Sequence, residues 1–221
     1  MIYFLLNLSL ELTTMQILAF CLAYFLAIAL SMTAHEFAHA FVATKMGDNT
    51  PRLQGRLTLN PFGHMSGVGM LCFLLVGFGW AKPVEVNPLK FKKFRSGMAW
   101  VSVAGVITNL LLAFVFSGLN FFLSPLLPME NLFFFFLEYF MYFMLTINLS
   151  LALFNMLPIY PLDGFNFIKS FMKYDNGFVK FMQQYGSIIL LIFIMTPLFD
   201  YVFDGIILLI KLFGAFWGLF V

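Results

Sequence analysis

Residues 15–43 read MQILAFCLAYFLAIALSMTAHEFAHAFVA, an almost uninterrupted apolar run that carries ionisable side chains in its second half. Because about 20 apolar residues cross a bilayer as an α-helix, this run predicts a membrane span. Its ionisable residues are His35, Glu36 and His39, and such groups inside a span usually serve a function. On a helix, residues four apart lie on one face, about 6 Å from each other. The two imidazoles are therefore placed to bind one metal ion.

The composition around this run is that of a membrane protein. Hydrophobic residues make up 62% of the 221-residue chain and charged residues 10%, against about 45–50% and about 25% in soluble domains. Such a chain has too few polar side chains to cover a surface exposed to water. The net charge of +2 is too small to indicate a nucleic-acid partner. We therefore expect the lipid bilayer to surround most of the protein.

Four further apolar stretches are long enough to cross the membrane, namely residues 97–122, 131–157, 181–198 and 201–220. The glycine-rich stretch 67–80 is too short for a full span and is interpreted as a re-entrant segment. Residues 52–59 alternate polar and apolar side chains, which predicts a small β-hairpin at the membrane surface. The predicted fold is an all-α polytopic membrane protein with five to six transmembrane helices, one re-entrant segment and this hairpin.

The positions of the basic residues predict the orientation in the membrane. If residues 67–80 re-enter, every Lys and Arg except Lys211 flanks the same face of the bilayer. Cytoplasmic loops are enriched in Lys and Arg, so the N-terminus is expected outside and the C-terminus inside. His39 lies six residues before Lys45, which places the candidate metal site of this multi-pass cell-membrane protein toward the cytoplasmic side.

The HEFAH pattern at residues 35–39 fits the chemistry of a zinc hydrolase. Imidazoles bind Zn²⁺ at about 2.0–2.1 Å, and catalytic zinc sites have three protein ligands and one open position. Glu36 adjoins the first imidazole and can act as general base on a water molecule without binding the metal. The third ligand is expected from His64 or Asp163, the polar candidates near the same face. Asp163 has a second interpretation, as the N-cap of a helix over residues 164–173.

Residues 155–164 read NMLPIYPLDG, and together with HEFAH this motif resembles the site-2 protease family of intramembrane zinc metalloproteases. The stretches GRLTLNP at 55–61, GFGWAKPV at 77–84 and SVAGVITN at 102–109 resemble its compact bacterial branch, which lacks PDZ and CBS domains. The resemblance covers about residues 30–170.

This resemblance implies a role for each candidate residue of the site. It implies zinc binding by His35, His39 and Asp163, acid–base catalysis by Glu36, and substrate binding by Asn155, Asn109 and His64. The two amides would hold the substrate backbone or the developing oxyanion. Asn148, by contrast, is interpreted as a helix–helix hydrogen-bonding group.

The predicted function is that of an intramembrane zinc metalloprotease, a single domain over residues 1–221 with a catalytic core at about 30–170. It would hydrolyse a peptide bond within or near a transmembrane segment of a membrane protein substrate, and the edge of the predicted hairpin is a hypothetical docking strand. Two alternatives remain open. One is a multi-pass membrane protein that binds or transports a divalent metal, with Glu36 as a coupling carboxylate. The other is an inactive relative of the proteases that serves as a scaffold.

Overall fold

The computed structural model of the chain describes residues 12–64, 66–76, 82–172 and 176–221, and these residues form helices, turns and loops without a β-strand. Their α-helices are α1 (Thr14–Met46), α2 (Thr50–Leu53), α3 (Gly67–Val76), α4 (Phe94–Leu123), α5 (Leu132–Asn155), α6 (Asp163–Phe171), α7 (Gly177–Met195) and α8 (Asp200–Trp217). Helices α1, α4, α5, α7 and α8 are long and apolar enough to cross a membrane. The predicted all-α polytopic membrane fold is thereby confirmed.

The longest helix, α1, carries the HEFAH motif between two well-defined ends. Thr13 Oγ1 accepts a hydrogen bond from the Gln16 N–H, and Gln16 Oε1 accepts one from the Thr13 N–H, which together make a capping box. At the other end Gly47 adopts a φ of 115°, a left-handed conformation that favours glycine and ends the helix. Local sequence therefore sets both ends of α1 and places the motif in its second half.

Helices α1, α4 and α5 pack against one another, α6 packs against α4, and α8 packs against α4 and α5. The contact between α1 and α5 centres on Phe20, Ala27, Phe143 and Met144. Ala23 and Ala27 are fully buried there, and such small side chains let helices approach closely, which is how helices associate in lipid. The unit formed by α1, α4 and α5 is the frame that positions the polar side chains discussed below.

The re-entrant prediction concerned residues 67–80. The described part of this stretch is α3, a helix of 10 residues, whose length of about 15 Å is half the roughly 30 Å of a bilayer's hydrocarbon core. Residues 77–80 lie outside the described parts of the chain. Helix α3 by itself is thus too short to span the bilayer.

The β-hairpin predicted for residues 52–59 is not formed. Pro51 lies in the first turn of the short helix α2, where its fixed φ suits the helical backbone. Gly55 ends that turn with a φ of 69°, and the Arg56 N–H donates back to the Pro51 carbonyl at 2.8 Å. Turn chemistry of this kind satisfies backbone groups that a strand would present to a partner. Because the hairpin is not formed, its edge cannot serve as the hypothetical docking strand.

A buried carboxylate joins the end of α1 to the segment that leads into α4. Asp48 is fully buried, and its two oxygens accept hydrogen bonds from the backbone N–H groups of Thr50 at 2.9 Å and Asn87 at 2.6 Å. Lys90 Nζ lies 4.0 Å from the same carboxylate. Burial alone would raise the pKa of Asp48, but these hydrogen bonds and the charge of Lys90 outweigh burial and lower that pKa below its usual value.

We expect Asp48→Ala to lower the free energy of unfolding by about 2–4 kcal/mol, because it leaves two partly buried N–H donors without their charged acceptor. The pKa of Asp48 is lower in the folded protein than in the unfolded chain. The loss of unfolding free energy should therefore have its full value above about pH 5 and should shrink as the pH falls below about 4. Thermal unfolding in detergent across this pH range measures it. Glu85→Ala removes an exposed carboxylate and serves as the matched control, with an expected change within about 0.5 kcal/mol. Equal effects of the two variants would contradict the prediction.

Candidate metal centre

Two helices bring together three side chains that could hold a metal ion. Helix α1 supplies His35 and His39 from successive turns, and Asp163 is the first residue of α6. The Nε2 atoms of the two imidazoles are 3.0 Å apart. Asp163 Oδ2 lies 3.1 Å from Nε2 of His35 and 3.2 Å from Nε2 of His39. The three ligand atoms thus form a nearly equilateral triangle, and they are the one such metal-binding group found within the described residues.

The far side of each imidazole contacts an oxygen that can only accept a hydrogen bond. His35 Nδ1 lies 2.5 Å from Asn109 Oδ1, and His39 Nδ1 lies 2.7 Å from the Val101 carbonyl oxygen. Each Nδ1 must therefore carry the hydrogen and donate it. In a neutral imidazole the other nitrogen is then a bare acceptor. With both rings neutral, the two Nε2 atoms therefore point their lone pairs at Asp163.

Three acceptor atoms that face one another with no donor between them repel unless a cation lies among them. Asp163 Oδ2 is buried and has no hydrogen-bond donor, which agrees with this arrangement. Ligand atoms of a tetrahedral zinc at about 2.0–2.1 Å would lie about 3.3 Å apart, close to the spacing observed here. Two imidazoles and one carboxylate are also a ligand set that catalytic zinc uses. The residues therefore fit a zinc ion.

Asp163 is held in place by the loop that precedes it. The N-cap position of α6 is Leu162, and Asp163 itself is already helical. The expectation that Asp163 precedes and caps a helix over residues 164–173 is therefore wrong by one position. Gly164 follows, and a Cβ there would collide with the backbone of Leu157, at 2.6 Å from its carbonyl oxygen. The absence of a side chain at Gly164 lets the loop close and brings the carboxylate to the imidazoles.

Glu36 lies beside the cluster without taking part in it. Its side chain is half-buried, and its Oε2 accepts a hydrogen bond from the backbone N–H of Val84 at 3.0 Å. This bond is one of several contacts between α1 and the segment that follows α3. One carboxylate oxygen is thereby fixed, which orients the group next to the metal ligands.

The remaining predicted site residues have other partners in the structure. Asn109 is fully buried behind His35, where both ends of its amide are hydrogen-bonded. Asn155 ends α5, and its Nδ2 donates to the Leu151 carbonyl at 2.9 Å. His64 is also buried, and its Nε2 donates to the Thr58 carbonyl at 2.8 Å. None of the hydrogen bonds of His64 within the described chain reaches the cluster.

Three contributors to the site were missed by the sequence reasoning. Two are backbone groups, the Val101 carbonyl and the Val84 N–H, which leave no trace in residue type. The third is Gly105, on which a Cβ would lie 2.6 Å from His35 Nδ1. Its signal was available, because Gly105 lies four residues before Asn109 and so shares a helix face with it. Asn148 forms the predicted hydrogen bonds between helices.

Known proteins have similar sequences. The sequence profile of peptidase family M50 matches residues 127–198. Over 183 residues the chain is 42% identical to "Putative zinc metalloprotease YwhC" of Bacillus subtilis, across 80% of this chain and 82% of that protein. It is 28% identical to "Putative zinc metalloprotease Rip2" of Mycolicibacterium smegmatis over 193 residues, across 83% of this chain and 72% of that protein.

A further relative is "Putative zinc metalloprotease Rip2" of Mycobacterium tuberculosis, 28% identical over 204 residues, across 88% of this chain and 76% of that protein. No solved structure matches the chain significantly. The match to the Bacillus protein covers most of both sequences. This chain is therefore a member of peptidase family M50, the site-2 protease family of membrane-embedded zinc metalloproteases.

Proposed function

We propose that this metalloprotease hydrolyses a peptide bond within or next to a transmembrane segment of a membrane protein. The observation that carries the proposal is the depth of the three converging acceptor atoms. His39 lies seven residues before the end of the apolar helix α1 at Met46, which corresponds to roughly 10 Å along a helix axis. His35 lies about one further turn inside. We therefore expect a peptide bond that reaches these atoms to enter the membrane region.

In the proposed mechanism His35, His39 and Asp163 bind the zinc ion. When bound, zinc polarises a carbonyl group and makes a water molecule more acidic. Glu36 accepts a proton from the attacking water molecule while the water oxygen forms a bond to the substrate carbonyl carbon. It then donates that proton to the leaving amine as the carbon–nitrogen bond breaks. The Val84 N–H holds one oxygen of Glu36 and leaves the other free to take the proton.

We place the substrate backbone near Asn155. This side chain is half-buried at the end of α5, at the start of the loop that leads to Asp163. To bind a substrate carbonyl its amide would exchange the bond to Leu151 for one to the substrate. Asn109 is fully buried and is therefore assigned to His35 instead of the substrate. His64 is proposed to line the substrate path, because its buried Nδ1 has no partner among the described residues.

The substrate has to be unwound before it can be cleaved. In an α-helix each carbonyl is hydrogen-bonded to the amide four residues on, so the scissile bond is shielded. A single-span protein with helix-weakening residues near one membrane face is therefore the expected substrate class. We place this face on the cytoplasmic side, because Lys45 in the last turn of α1 and the basic residues around Lys90 adjoin it.

The catalytic machinery is proposed to be complete within residues 30–170 of a single domain. The metal-binding atoms, Glu36 and the second-layer contacts of both imidazoles all come from α1, α4, α6 and the segment before α4. Helices α7 and α8 are exposed along most of their length. They are accordingly assigned to the lipid contact and not to the chemistry.

The test uses purified full-length protein in proteoliposomes with a fluorescently labelled single-span peptide. We expect cleavage at bonds within or next to the apolar segment, mapped by mass spectrometry. The control peptide keeps the residues around the cleaved bond but replaces the flanking apolar residues by serine. Efficient cleavage of this control in solution, with no cleavage in the bilayer, would overturn the intramembrane assignment and leave only a metalloprotease.

A further inference from the structure

Behind His35, a chain of buried polar side chains crosses from α4 to α5 and back to α1. Asn109 Nδ2 donates to Asn148 Oδ1 at 2.6 Å. Asn148 Nδ2 donates in turn to Ser31 Oγ at 2.7 Å and to the Met144 carbonyl at 2.7 Å. Asn109, Asn148 and Ser31 are all fully buried. Asn148 touches neither the imidazoles nor the carboxylate, so the mechanism above gives it no role.

The donors and acceptors in this series of hydrogen bonds can be assigned by starting from the end that a backbone carbonyl fixes. The Met144 carbonyl only accepts, so the NH₂ group of Asn148 has to face it and the Asn148 oxygen faces Asn109. That oxygen requires the NH₂ group of Asn109, which also donates to the Ser31 carbonyl at 3.4 Å. The Asn109 oxygen is then left for His35 Nδ1, which has to carry the hydrogen. The backbone carbonyls thus fix the tautomer of an imidazole two side chains away.

We propose that Asn148 is a positioning residue which, through Asn109, keeps the bare Nε2 of His35 facing the metal. The inference rests on the proposed function, in which His35 binds zinc through that nitrogen. With Asn109 reversed, an NH₂ group would face His35 Nδ1 and the ring hydrogen would move to Nε2, between the metal-binding atoms. Loss of a hydrogen-bond partner behind a metal-binding histidine typically lowers metal affinity about 10–100-fold.

The test measures zinc affinity by competition with a chelator for four full-length proteins in detergent. They are the wild type, Asn148→Leu, Asn109→Asp and the double variant that combines both substitutions. Leucine is apolar and of similar volume, so it removes the hydrogen bond that orients the Asn109 amide while it fills the same space. Aspartate at position 109 offers only acceptors, and it faces His35 with an oxygen however it is turned.

We expect Asn148→Leu to bind zinc about 10–100-fold more weakly than the wild type, and Asn109→Asp to restore the affinity in the double variant. A residue that merely fills space would show no such rescue. Unchanged affinity of Asn148→Leu, or a double variant as weak as the single one, would overturn the proposal.

His35→Ala separates this inference from the proposed function on which it rests. If His35→Ala loses zinc while Asn148→Leu does not, the ligand assignment stands and the role of Asn148 alone fails. If His35→Ala retains zinc, the ligand assignment fails, and the inference with it.

A second measurement is made on the wild type alone, so it does not depend on whether a variant folds. The chain has 3 histidines, so the imidazole ¹⁵N spectrum of the metal-free wild type can be assigned residue by residue. We expect His35 to carry its hydrogen on Nδ1. A bare Nδ1 would overturn the inference.

Discussion

Glu36→Gln should abolish proteolysis and leave zinc binding intact. General acid–base catalysis contributes about 10²–10⁴-fold to a rate, and an amide cannot take up the proton of the attacking water. Glutamine keeps the shape of the side chain and an oxygen that can accept the hydrogen bond from the Val84 N–H. The fold and the metal ligands should therefore be undisturbed. The cleavage rate of a membrane-embedded peptide and the zinc content of the same preparation measure the two effects.

Glu85→Gln is the matched control, because Glu85 is exposed and its carboxylate contacts Gln54 instead of the metal site. We expect it to cleave at the wild-type rate. The alternative of metal transport predicts that Glu36→Gln changes zinc flux into proteoliposomes and that no variant cleaves a peptide. Undiminished proteolysis by Glu36→Gln would remove Glu36 as the general base.

Gly105→Ala should lower zinc affinity by about 100-fold, the upper end of the range for groups that support metal ligands, although Gly105 binds nothing. A Cβ at this position would lie 2.6 Å from Nδ1 and Nε2 of His35, far inside the 3.5–4.0 Å of a normal contact. The ring is fixed by Asn109 on the same face of α4, so it cannot rotate away while that bond is kept. Either the imidazole leaves the metal or α4 moves away from α1.

Gly214→Ala controls for the helical propensity of alanine. Nothing lies within 4 Å of a Cβ at Gly214, and alanine in a helix stabilises it by about 0.5–1 kcal/mol relative to glycine. We expect Gly214→Ala to bind zinc as the wild type does and to unfold at the same or a slightly higher temperature. Wild-type zinc affinity in Gly105→Ala would show that the space beside His35 is not restricted as described.

The length of the apolar runs was sufficient to predict the five spans, and helical periodicity was sufficient to predict that the two histidines of α1 converge. The 20-residue scale of the bilayer predicted the five spans, and the four-residue spacing of His35 and His39 predicted their convergence. Asp163 could be named as a candidate because few ionisable residues lie near the same face. The sequence could not exclude that Asp163 caps a helix, whereas the structure shows that Leu162 occupies the N-cap position.

Features that depend on three-dimensional contacts could not be predicted in this way. The alternation of residues 52–59 resembles a strand, but Pro51 and Gly55 impose a helical turn. Asn109 was assigned to the substrate from the family resemblance, and only the packing of α4 against α1 and α5 reveals that it supports His35. The role of Asp48 could not be predicted from the sequence, since one of its two backbone donors, the Asn87 N–H, is distant along the chain.

The most direct test is the zinc X-ray absorption spectrum of the purified wild-type protein beside that of Asp163→Ala. The wild type should hold one zinc ion per chain, bound by two imidazole nitrogens and a carboxylate oxygen at about 2.0–2.2 Å. Asp163→Ala should lose most of the metal. A wild-type protein that cleaves peptides without zinc, or an Asp163→Ala protein with full zinc content and an unchanged spectrum, would contradict the three-ligand site.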